Sequence, residues 1–165
     1  MNTKAIIGIL VGTVVVIGGL IWLGQPTVNQ NGGQANITES LLKSSETIFD
    51  FGAISMANGN VSHEFKITNS SNQSVSISKI YTSCMCTAAN FKLGDKKYGP
   101  FGMEGMGGIT SANINLNPGD SGTVEAVYDP NAHGPAGVGP IDRFVYVEDK
   151  NGGELKLEIK AAVTP

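Results

Sequence analysis

Two stretches of this chain alternate apolar and polar side chains with a period of two. In VSHEFKITN, Val61, His63, Phe65 and Ile67 alternate with Ser62, Glu64, Lys66 and Thr68; in LKLEIKAAV, Leu155, Leu157, Ile159, Ala161 and Val163 alternate with Lys156, Glu158 and Lys160. Successive side chains of a strand point to opposite faces, whereas a helix repeats every 3.6 residues or so, so each stretch buries one face only as a strand. Shorter runs of the same character cover Thr47–Ile54, Val75–Tyr81, Ile109–Leu116, Gly122–Tyr128 and Asp142–Glu148, and the turn sequences NSSNQS, NPGD and DKNGG separate some of them. Seven short strands with no amphipathic helix among them predict an all-β fold, a seven-stranded immunoglobulin-like β-sandwich over residues 47–165.

Ahead of that region, residues 5–23 (AIIGILVGTVVVIGGLIWL) carry no charge. As a helix they span roughly 28 Å, close to the hydrocarbon thickness of a bilayer, and predict one N-terminal transmembrane helix. Lys4 precedes the run and the next basic residue is Lys43, which places residues 1–4 in the cytoplasm and everything after Trp22 outside it. The flank LIWLGQ has neither an A-x-A pattern nor a lipoprotein cysteine, so the helix reads as an uncleaved anchor. Residues 24–46 are polar and rich in Asn, Gln and Gly, the composition of a flexible tether. The expected arrangement is a single-pass cell-membrane protein with an extracytoplasmic domain, whose one legible partner is the membrane. A net charge of −3, evenly mixed, excludes nucleic acid as a partner, and no residue pattern names a protein partner.

The strand count also sorts the loops. MANGN, the long stretch from Cys84 to Gly108, and DPNAHGPAGVGPI fall at one end of the sandwich, the end where long Gly-rich loops carry function. They hold Met56, Cys84, Met85, Cys86, Met103, Met106 and His133, with His63 beside them at the start of its strand. Thiolate, thioether and imidazole suit Cu(I), with zinc the alternative for Cys and His. The candidate metal ligands are therefore Cys84, Cys86, Met103, Met106 and His133, and the candidate cofactor is copper(I). In an extended strand the Cα atoms of Cys84 and Cys86 lie about 6.6 Å apart, at the outer edge of what a disulfide tolerates, so an unstrained structural bridge is not expected, while a bulge or bend there would allow an easily reduced one.

Bland readings stand beside the sharp ones. Two cysteines at a strand end can pack as small apolar groups, and Phe101, Met103 and Met106 can fold back as a lid. His133 suits a turn, and His63 a half-buried core position. Asp129-Pro130 and Asp142-Arg143 read as turn and strand-edge features with solvated ion pairs. No Ser/His/Asp order, phosphate loop or HExxH motif occurs, so catalysis is expected only if the cysteines carry it. Three functions stay open: a soft-metal binding module, a non-catalytic assembly or adhesion domain with structural cysteines, and a thiol–disulfide redox protein.

The segments FDFGAI, HEFKITNSSNQSVSISKIYTSCMCT, LNPGDSGTVEAVYDP and LKLEIKAAV occur in that order from Thr47 to Val163. In this order they resemble an uncharacterised bacterial immunoglobulin-like family marked by a Cys-Gly-Cys-Thr motif and related to Hydin-like domains. The resemblance implies a seven-stranded sandwich, exported or membrane-tethered, with no established activity. Cys84, Cys86 and Thr87 fall on the motif, and Met85 replaces its glycine. That replacement makes a tight turn between the cysteines, and so a disulfide, less expected.

Overall fold

The computed structural model describes residues 38–165, with side chains from Ser40 onward. The expected membrane helix over 5–23 and most of the expected tether lie outside the described residues. Among the described residues no helix is long and apolar enough to cross a membrane.

These residues form strands β1 (Thr38–Glu39), β2 (Leu42–Ser44), β3 (Ile48–Ser55), β4 (Val61–Asn69), β5 (Val75–Thr82), β6 (Thr87–Leu93), β7 (Lys96–Phe101), β8 (Ser111–Leu116), β9 (Ser121–Tyr128), β10 (Gly139–Asp149) and β11 (Gly153–Thr164). Eleven strands, one of them two residues long, replace the expected seven. They make two sheets. One runs β1-β11-β10-β5-β8, with β3 also paired to β11; the other runs β2-β4-β9-β6-β7. The all-β expectation and the two-layer arrangement hold.

Alternation became burial where it was strongest. Phe65 and Ile67 of β4, Val124, Ala126 and Tyr128 of β9, and Leu157, Ile159, Ala161 and Val163 of β11 all point into one core shared by both sheets. Each large apolar side chain removed from water there stabilises the fold by roughly 1.5–3 kcal/mol.

The additional strands correct two boundaries. β1 and β2 lie within the residues expected to be tether, and Leu42 of β2 is buried against the core while pairing with Asn69. Leu41 and Leu42 are adjacent, so they fall on opposite faces and set no period of two in a three-residue strand, which is why β2 was not visible. β6 and β7 form a hairpin inside the stretch expected to be one long loop, with Phe91 opposite Tyr98. Alternation fails in β6 because Asn90 is buried beside Ala89 and Phe91, its amide donating to Glu125 Oε2 at 3.1 Å. β3 also lies parallel to β11, from Ile48 opposite Glu158 to Ser55 opposite Thr164.

Candidate functional site at the Cys84–Cys86 turn

β5 ends at Thr82 in one sheet and β6 begins at Thr87 in the other, so residues 83–86 are the crossing between layers. The chain reverses there, with the Thr87 amide donating to the Cys84 carbonyl at 3.1 Å. Cys84 and Cys86 are thus in a turn, not on an extended strand. Their Cα atoms are 5.2 Å apart and their sulfurs are joined in a disulfide, which corrects the extended-strand spacing that argued against a bridge. Met85 is no obstacle, because the turn needs no left-handed residue: Asn113 is the only non-glycine with positive φ among the described residues.

Hydrogen bonds pin the turn from several sides. The buried Thr82 hydroxyl lies 3.0 Å from both the Cys84 and the Thr87 carbonyl oxygens. The Thr82 amide donates to Gly102 O at 3.1 Å, and the Ser83 amide to Phe144 O at 3.0 Å. The Phe144 amide answers to Ser83 Oγ at 2.9 Å. On the far side the Asp129 amide donates to the Cys86 carbonyl at 2.9 Å. Buried backbone groups satisfied in this way hold a turn in one conformation.

The two sulfurs have different surroundings. Cys84 is half-buried, and its Sγ lies 3.3 Å from Nε2 of the exposed His133. Cys86 is 2% exposed, and its Sγ accepts from Arg143 Nε–H at 3.2 Å. Arg143 is the chain's single arginine, and its guanidinium also reaches the Asp142 carbonyl at 2.8 Å. The expected solvated Asp142-Arg143 feature is therefore corrected: Asp142 sits 3.8 Å from Lys160, while Arg143 turns to the sulfur. A signal existed in the sequence, since Arg143 shares strand parity with the buried Ile141, Val145 and Val147. Beneath this group, burial pushes the Tyr128 phenol above its ordinary pKa, with Arg143 pulling it down and Asp129 pushing it up.

The other sequence candidates divide. His133 joins the cysteines, and its ring nitrogen and the two sulfurs all lie within 4.8 Å of one another. It rides on a loop tied to the next pole segment by Asn131 Nδ2, which donates to Met56 O at 2.8 Å. Met103 is backbone-bridged to Thr82, so the expected gathering of loops at one end is present. The side chains of Met103 and Met106, however, line a shallow groove of about 360 Å³ with Met85, Pro100 and Phe101, and neither cysteine lines it. His63 stacks on Phe49 with ring centroids 3.6 Å apart and bonds Glu46 Oε2 at 2.8 Å, a half-buried structural histidine as expected.

Comparisons with known proteins speak to fold. Residues 42–99 match a family described as a protein of unknown function (DUF1573), a span from β2 into β7 that includes both cysteines and is shorter than the Thr47–Val163 resemblance. No curated protein matches the sequence. Among solved structures, a protein of unknown function from Porphyromonas gingivalis W83 aligns with a TM-score of 0.53 and 14% identity, over 73% of this chain and 46% of that one. The secreted serine protease VesC from Vibrio cholerae aligns at 0.46 and 14%, over 75% of this chain and 24% of that one. The ASH / PapD-like domain of human CEP192 aligns at 0.43 and 12%, over 76% and 87%. This chain therefore spans less than half the length of the first two. Its two-sheet β fold is similar to that of the Porphyromonas gingivalis protein of unknown function.

Proposed function

We propose that this domain is an extracytoplasmic thiol–disulfide exchange module, tethered to the membrane by residues 5–23, with Cys84 and Cys86 as its redox pair. One observation carries the reading: the two sulfurs are unequal, Cys84 half-exposed beside His133 and Cys86 buried beside Arg143. The disulfide also closes only a two-residue separation. Cross-linking such near neighbours restrains the unfolded chain little, so the bond suits chemistry better than stapling. A pure assembly role leaves the contacts to both sulfurs unused.

In the exchange, the thiolate of a small thiol or of a partner dithiol attacks Cys84 Sγ and forms a mixed disulfide. The Cys84–Cys86 bond breaks, and its electron pair leaves on Cys86 Sγ, where the Arg143 cation stabilises the new thiolate. A second thiolate of the reductant attacks the partner sulfur of the mixed disulfide and releases Cys84, beside which His133 can give up or take a proton. Two electrons enter, the reductant leaves as its disulfide, and the reverse sequence oxidises a dithiol. Cys86 is buried, so attack is directed to Cys84.

Equilibrating the full chain in glutathione buffers and counting alkylated thiols by mass spectrometry tests this. The expected result is reversible loss and regain of the bond, with mixed disulfide trapped at Cys84 in Cys86→Ser. A pair that stays oxidised across the glutathione range, or trapping confined to Cys86 in Cys84→Ser, would defeat the proposal.

A further inference from the structure

We infer that the reduced Cys84–Cys86 pair and His133 form a three-coordinate site for monovalent copper, with Arg143 balancing its charge. The inference rests on the exchange reading, since only a reduced pair offers two thiolates. Its geometric basis is convergence: Cys84 Sγ, Cys86 Sγ and His133 Nε2 lie within 4.8 Å of one another. Donors around a first-row ion with bonds of about 2.0–2.3 Å stand about 3.5–4 Å apart. Opening the sulfur–sulfur bond, widening the 3.3 Å separation of Cys84 Sγ from His133 Nε2 slightly and bringing Cys86 Sγ, which lies no more than 4.8 Å from the imidazole, closer by up to about an ångström reaches that arrangement. The turn backbone, pinned at Thr82, Ser83 and Cys86, need not move.

Donor chemistry, donor number and charge select the ion. Two thiolates and an imidazole are soft or borderline ligands, the set that favours Cu(I) or zinc. Structural zinc is almost always four-coordinate. The group here has three members, and no further Cys, His, Asp or Glu joins it among the described residues. Charge separates the two ions again. Two thiolates with Cu(I) leave one net negative charge, which the adjacent Arg143 guanidinium neutralises, whereas two thiolates with Zn(II) are already neutral and would face an unopposed cation. Met103 and Met106, which line the neighbouring groove, are outside this ligand set.

The full chain, reduced with a phosphine under anaerobic conditions, is titrated with Cu(I) against a chromophoric Cu(I) chelator and separately with Zn(II) against a zinc indicator. The expected result is one Cu(I) per chain, binding abolished in Cys84→Ser and in Cys86→Ser, and affinity lowered at least tenfold in His133→Ala. Affinity stays within twofold in the double variant Met103→Leu, Met106→Leu. The oxidised wild-type chain, which has the same fold and no thiolate, serves as the control that a misfolded variant cannot confuse, and it should bind no copper. Failure of the reduced chain to bind Cu(I), copper retained by the oxidised chain, or Zn(II) displacing Cu(I) at equal concentration would overturn the site. Phosphine reduction exposes the thiols even where glutathione does not. The glutathione equilibration therefore reports on the exchange reading, and the copper titration on the metal site.

Discussion

The Cys84–Cys86 turn and the Met103–Met106 segment both carry sulfur at the same end of the sandwich, and the backbone bridge between Thr82 and Met103 brings them side by side. They differ in what surrounds the sulfur. The turn is pinned to β5, β10 and the end of β9, and each cysteine sulfur meets a nitrogen of a basic side chain. The methionine segment is held by backbone bonds from Gly102 to Ile109 and from Met106 to Met103 and by an exposed Lys79–Glu104 pair. Met106 remains 60% exposed, over an apolar groove. Soft atoms near one another are therefore insufficient for a site. Polar partners aimed at the sulfur, on a backbone that holds its shape, make the difference.

The comparison breaks most visibly if both cysteines become serine. Exchange with glutathione should vanish, while urea denaturation should show a loss of only about 1.6 kcal/mol, the entropic worth of so small a loop. A much larger loss would make the disulfide structural. Thr82→Val tests the pinning of the turn. It removes the hydroxyl shared by the Cys84 and Thr87 carbonyls and leaves the buried Thr87 carbonyl without that donor, so the urea midpoint should fall by the equivalent of about 1–3 kcal/mol with an unchanged slope.

Arg143→Met keeps the apolar stem and removes the charge beside Cys86. Stopped-flow reduction by glutathione should slow roughly tenfold, about 1.4 kcal/mol of lost thiolate stabilisation, and an unchanged rate would remove Arg143 from the site. The methionine segment sets the lower bound. Replacing Met103 and Met106 together with leucine should alter stability by less than about 1.5 kcal/mol and leave exchange rates within twofold, as a volume-conserving change at an exposed groove.

How much of this was legible before folding depends on whether a feature repeats locally. β4 and β11 could be read because every second residue faces the same way and burial followed that parity. β2 and β6 could not. Leu42 is the one apolar residue of a three-residue strand and follows the exposed Leu41, and Asn90 is buried among apolar neighbours because Glu125 on β9 accepts its amide. His133 could be placed near the cysteines from the strand count. The disulfide could not be read, because the separation expected for a strand applies only while the chain stays extended, and here it turns between two sheets.

Alternation, turn residues and soft donors in Gly-rich segments were enough to establish a two-layer β domain with its sulfur and imidazole groups at one end, because those features act over a few residues. The partners of each sulfur were decided only in three dimensions. Arg143 is 57 residues from Cys86 and His133 is 49 from Cys84. What brings Arg143 in is the register of β10 on β5, with Val145 opposite Thr82, and no local pattern in the chain encodes that pairing.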